Sequence, residues 1–112
     1  MKKIPKLGSN TKKEITKEFN RLKPFGYEVI TFNSNRPLRG QQKGFVDHFI
    51  FNVKFVVFVE VKIGNDKLSE IQERTMLKLS AASVFNKNMD YKTVKDVNGA
   101  RQIVDNLLKG NL

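Results

Sequence analysis

Asp47 stands thirteen residues before Glu60, and Glu60 and Lys62 flank Val61 inside Phe55-Val-Val-Phe-Val-Glu-Val-Lys-Ile63, the most strand-like run of this sequence. Successive strand side chains alternate faces, so Glu60 and Lys62 must project from the same one. A carboxylate and an ammonium in an otherwise apolar strand are costly to bury unless something compensates them. Val46-Asp-His-Phe-Ile-Phe51 reads as a second strand, joined to the first near Asn52-Val-Lys54 in a hairpin that brings Asp47 beside Glu60. Two carboxylates held together repel unless a proton or a cation joins them. A divalent ion with oxygen ligands is the natural partner. The sequence has no cysteine and one histidine, which excludes thiolate and His-rich sites and leaves carboxylate chemistry with Mg2+ or Mn2+. Lys62 lies within reach to orient a water or a phosphate.

The rest of the composition narrows the partner. Twenty-one Lys and Arg against eleven Asp and Glu give a net charge of +10. That imbalance favours a polyanion, nucleic acid ahead of a membrane surface. The longest purely apolar run, Phe55 to Val59, is far short of a membrane span. The basic start Met1-Lys-Lys-Ile-Pro-Lys lacks the apolar stretch of a signal peptide, so a cytoplasmic protein is expected. At 112 residues the chain forms one domain, read as 10–112 behind a flexible basic arm, 1–9.

The elements that must position these residues follow from local patterns. Thr11-Lys-Lys-Glu14 is a capping-box pattern that opens a first helix, with Ile15, Phe19 and Leu22 on one stripe and Pro24 and Gly26 at its end. Tyr27 to Phe32 alternates as a strand, and Asn33 to Gly44 is a polar loop carrying Arg36, Arg39 and Lys43. The two central strands come next. Ser69-Glu-Ile-Gln72 is a second capping box, opening a helix to about Phe85. Asp90 to Asp96 reads as a last strand and Val97 to Lys109 as a closing helix. The order is αβββαβα. Its third strand, helix and fourth strand form a βαβ crossover, so an α/β fold with a mixed sheet flanked by helices is expected. His48, next to Asp47, should point to the opposite face and serve as a packed core residue. The nine phenylalanines are expected mostly in the core.

An E-x-K triplet alone is weak, and on its own reads more readily as an ion pair. Joined to Gly44-Phe-Val-Asp47 and Lys67-Leu-Ser69-Glu-Ile-Gln72, however, Phe58-Val-Glu60-Val-Lys62 resembles the PD-(D/E)xK nucleases, and among them the small VRR-NUC branch. The resemblance spans about Thr11 to Leu108. It departs at Val46, where the family usually has proline, and no V-R-R stretch is legible. It implies a restriction-endonuclease-like fold and metal-dependent hydrolysis of DNA. Asp47 and Glu60 would bind the ion with the backbone carbonyl of Val61, and Lys62 would position the attacking water. Gln72 matches the family's glutamine, although its place in a capping box explains it equally well. The first helix of this fold often lends a glutamate to the metal, for which Glu18 is preferred over Glu14. Arg36, Arg39, Lys43, Lys12, Lys13, Lys17 and Lys67 are the candidate phosphate contacts, each also explicable as a solvated charge. The small surface points to cleavage of branched or flapped DNA rather than of a base sequence, in a homodimer with no small-molecule cofactor. Two rival readings remain: the same fold holding DNA without catalysis, and a basic RNA-associated protein whose E-x-K is only an ion pair.

Overall fold

A computed structural model describes residues 7–32, 46–64 and 68–112. Three helices and four strands follow in the order α1 (Leu7–Asn20), β1 (Glu28–Thr31), β2 (His48–Phe51), β3 (Val56–Val61), α2 (Glu70–Phe85), β4 (Met89–Val94) and α3 (Val97–Leu108). This is the expected αβββαβα order. The strands form one sheet in the order β1-β2-β3-β4, antiparallel except for the β3–β4 pair. The parallel pair follows from the connection: α2 carries the chain back to the start of the sheet before β4 begins.

One face of the sheet holds the core. Val29, Ile50, Val57, Val59, Val61 and Val94 meet Ile15, Phe19 and Leu22 of α1 and Ala100, Ile103, Val104 and Leu107 of α3. Fully burying a side chain such as Phe19 or Ile15 contributes about 1.5–3 kcal/mol. Tyr27 ties the entry to β1 onto the end of α3, its hydroxyl donating to the Leu107 carbonyl at 3.0 Å. The other face carries Phe49, Phe51, Val56 and Phe58, all only half-buried, with α2 beside β4. No helix among the described residues is long and apolar enough to cross a membrane.

Several local expectations change. α1 begins at Leu7, so Leu7 to Ser9 are helical rather than part of an arm, and Thr11 and Glu14 lie inside the helix rather than capping it. Extending an existing helix backwards gains one hydrogen bond per residue, whereas stopping at Thr11 gains only a cap. A short 3-10 turn, Lys23–Phe25, separates α1 from Gly26, whose φ of 91° supplies the left-handed turn into β1. Of the phenylalanines, Phe19 and Phe55 are buried, but Phe25 and Phe85 are 64% and 86% exposed. The loop Asn33 to Gly44, with Arg36, Arg39 and Lys43, lies outside the described residues, as does Lys67.

Candidate active site

Asp47 sits just ahead of β2, and its backbone is fixed from both sides. Its N–H donates to the Val59 carbonyl at 3.1 Å, and its carbonyl accepts from the Phe32 N–H at 2.9 Å. The β2–β3 register ends with His48 opposite Val59, and Asp47 and Glu60, each one residue further on, meet through their side chains. The Asp47 carboxylate then bends back over the strand end, Oδ2 accepting from the Val61 N–H at 2.8 Å. Lys62, one residue beyond β3, donates its own N–H to Val94 on the β4 side. In a trans peptide the preceding carbonyl points the opposite way, so the Val61 carbonyl faces the Asp47 side.

Glu60 is 2% exposed and lies under the start of α2. Ser69 caps that helix. Its hydroxyl accepts from the Gln72 N–H, and the Gln72 side-chain oxygen accepts from the Ser69 N–H at 2.9 Å. The same oxygen accepts from Lys62 Nζ at 3.0 Å, while the Gln72 amide nitrogen donates to Glu60 Oε1 at 3.0 Å. Gln72 therefore completes the capping box and also bridges Glu60 to Lys62.

The electrostatics of the pair are those of a site awaiting a positive charge. Burial raises the Glu60 carboxyl to about 8, and the charge of Asp47 and the hydrogen bond that protonated Glu60 donates to it add to the rise. Lys62 and Lys12 oppose it. Lys12, exposed on α1, is thus the helix lysine whose charge reaches the site; Lys13 and Lys17 are exposed on the same helix. Without a cation the two carboxylates share a proton. Among the described residues no three His, Cys, Asp or Glu side chains cluster together. The protein thus offers two carboxylates and one carbonyl, a donor set that suits Mg2+ or Mn2+, since Mg2+ retains several of its waters.

Glu18 is drawn elsewhere. Its buried carboxylate pairs with Arg21 on its own helix and with Arg101 of α3 at 3.6 Å, so it serves the α1–α3 contact. Glu14 is exposed. His48 faces the core as expected: it is 3% exposed, its Nδ1 lies 3.0 Å from the Thr31 hydroxyl, and the Phe19 ring meets it edge-on. Burial lowers its pKa to about 4, with Asp47 opposing, so it is neutral at physiological pH.

One residue at the site escapes a reading of the sequence. Tyr91 of β4 pairs with Phe58, and Thr93 pairs with Glu60, so Tyr91 shares the Glu60 face one step away. Burial raises its hydroxyl above the ordinary value; Thr93 offsets part of this, and the charges of Glu60 and Asp47 add to it. Only the parallel register, which a single sequence does not reveal, brings residue 91 to the carboxylates.

No family model matches this sequence, and no curated protein matches it closely. Among solved structures it is similar to one described as a VRR_NUC domain, with a TM-score of 0.57 and 17% identity over 87% of this chain and 92% of that one. The chain thus has the restriction-endonuclease-like fold of a VRR_NUC domain, as the resemblance in its motifs implied.

Proposed function

We propose that this protein is a divalent-metal-dependent DNA endonuclease of the PD-(D/E)xK type. The observation that carries the reading is the Gln72 bridge, which holds the Glu60 carboxylate and the Lys62 ammonium together beside Asp47. Asp47, Glu60 and the Val61 carbonyl would hold Mg2+ or Mn2+. The ion, when bound, supplies Lewis-acid polarisation of the scissile phosphate and charge stabilisation of the leaving oxygen. Lys62 orients the water that attacks the phosphorus and steadies it as it loses its proton. Gln72 fixes the Lys62 ammonium through its side-chain oxygen.

The net charge of +10 supports DNA as the substrate. Phosphate contacts are assigned to Lys12, Lys13 and Lys17 on α1, and to Arg36, Arg39, Lys43 and Lys67 outside the described residues. A chain of 112 residues has little surface for reading bases, which favours branched, flapped or junction DNA. A homodimer is supported by α2, whose Leu77, Ala81, Val84 and Phe85 form an exposed apolar stripe.

The test is incubation with single-stranded, duplex, flapped and four-way DNA in Mg2+, Mn2+ or EDTA. Cleavage should require the metal and favour the branched forms. Asp47→Ala and Glu60→Ala should abolish cleavage while DNA binding persists. Binding without cleavage by the unaltered protein would instead support a module that holds DNA only.

A further inference from the structure

Among the described residues, the Tyr91 hydroxyl is the buried side-chain polar atom without a hydrogen bond of good geometry; Thr93 lies near enough to ease its shift but not to satisfy it. A buried unsatisfied O–H is costly and calls for a reason. The neighbouring polar side chains are engaged. Gln72 engages both ends of its amide, and Asp47 takes the Val61 N–H. The buried Tyr27, just ahead of β1, finds a carbonyl, Leu107. Tyr91 is therefore an exception among the described residues.

Its position supplies the reason. The β3–β4 register sets Tyr91 opposite Phe58 and Thr93 opposite Glu60, on the sheet face that presents the carboxylate pair. Both carboxylates act on the hydroxyl electrostatically, and burial holds its proton firmly in place. A phenol of that kind is a neutral O–H donor at any working pH. It adds a hydrogen bond to an incoming phosphate without adding a charge that would compete with a metal ion.

We propose that Tyr91 is a further catalytic residue, its hydroxyl donating to a non-bridging oxygen of the scissile phosphate bound beside Asp47 and Glu60. The proposal rests on the nuclease reading above. The substrate would complete the hydrogen bonding of this donor. Because the bond strengthens as negative charge grows on the phosphoryl oxygens, it lowers the barrier more than it tightens ground-state binding.

Tyr91→Phe removes one oxygen and keeps the ring against Phe58. The variant should melt at the same temperature as the parent or higher, since it discards an unsatisfied hydroxyl. Its kcat for cleavage of whichever DNA form the parent cuts should fall on the order of a hundredfold, with KM nearly unchanged. The pH–rate profile should keep its shape, because the phenol does not titrate in the assay range. A variant that cleaves within about twofold of the parent, while Glu60→Gln is inactive, overturns the role of Tyr91 and leaves the nuclease reading standing. Loss of activity together with a fall in melting temperature overturns it too, since the hydroxyl would then be a structural bond. If the parent cleaves none of the DNA forms with either metal, the nuclease reading falls and this proposal with it.

Discussion

Gln72 does two jobs that require opposite ends of one amide. Its oxygen accepts from the Ser69 N–H and from Lys62, and its nitrogen donates to Glu60. A glutamate would serve the first job as well, since Glu is as good as Gln at the third position of a capping box. It would fail the second, having no N–H to offer Glu60 and a charge to repel it. Gln72→Glu should therefore leave the metal-free melting temperature at acidic pH within a few degrees of the parent and abolish most DNA cleavage. Unchanged cleavage would reduce Gln72 to a helix cap. Glu60 itself carries a pH signature. Its folded pKa, about 8, lies above the ordinary value of 4.5, so the folded state binds more protons across that interval. Its contribution to stability is full below about pH 4.5 and is lost as pH rises through 8. Each pKa unit corresponds to ~1.4 kcal/mol, so in EDTA the loss is on the order of a few kcal/mol. Glu60→Gln should remove most of it, melting higher than the parent at pH 9 with little difference at pH 5. Parallel melting curves for the two proteins across that range would mean that neither burial nor Asp47 raises the Glu60 carboxyl.

At the scale of elements, the sequence reading succeeded where a local signal agreed with the packing and failed where it did not. Ser69-x-x-Gln72 predicted the start of α2 because both halves of the box form. Thr11-x-x-Glu14 carries the same signal, yet α1 runs through it from Leu7. The hairpin and the nearness of Asp47 to Glu60 were legible because a short link and two alternating runs leave few registers. The reach of Tyr91 was not, because a parallel partner across a sixteen-residue helix has no local signal of register. Glu18 shows the limit of a helical stripe. Position 18 is buried as the pattern implied, but its neighbours are Arg21 and Arg101 rather than the carboxylates. A nearly buried carboxylate that ties α1 to α3 should matter to folding. Glu18→Ala is expected to cost about 1–2 kcal/mol by urea unfolding, mainly by leaving the contact with Arg101 unmade, and to leave kcat unchanged. Lost cleavage at full stability would mean that α1 does lend a carboxylate to the site.

Over the whole molecule, charge and apolar surface pull in opposite directions, and salt separates them. α2 is apolar on two sides. Thr75, Met76, Leu79 and Ala82 are half-buried along the sheet side, while Leu77, Ala81, Val84 and Phe85 face outward, with Phe85 86% and Val84 78% exposed. A helix apolar all round is ordinarily buried, and a two-fold dimer would bury the outer stripe against its own copy. The two copies, each at +10, repel. Salt screens that repulsion while strengthening nothing else in the pair, so the dimer fraction should rise between low and moderate ionic strength. DNA binding should do the reverse, its log affinity falling with log salt at a slope near −0.9 for each phosphate contacted on a duplex. Light scattering on the protein at fixed concentration, in 0.05 M and about 0.3 M salt, reads the first effect, and fluorescence anisotropy with a labelled duplex reads the second. Leu77→Lys with Phe85→Lys should give a monomer at both salts, because it places like charges across the contact. A parent protein that stays monomeric as salt is raised would leave the α2 stripe without a second copy to cover it, and the homodimer would be given up.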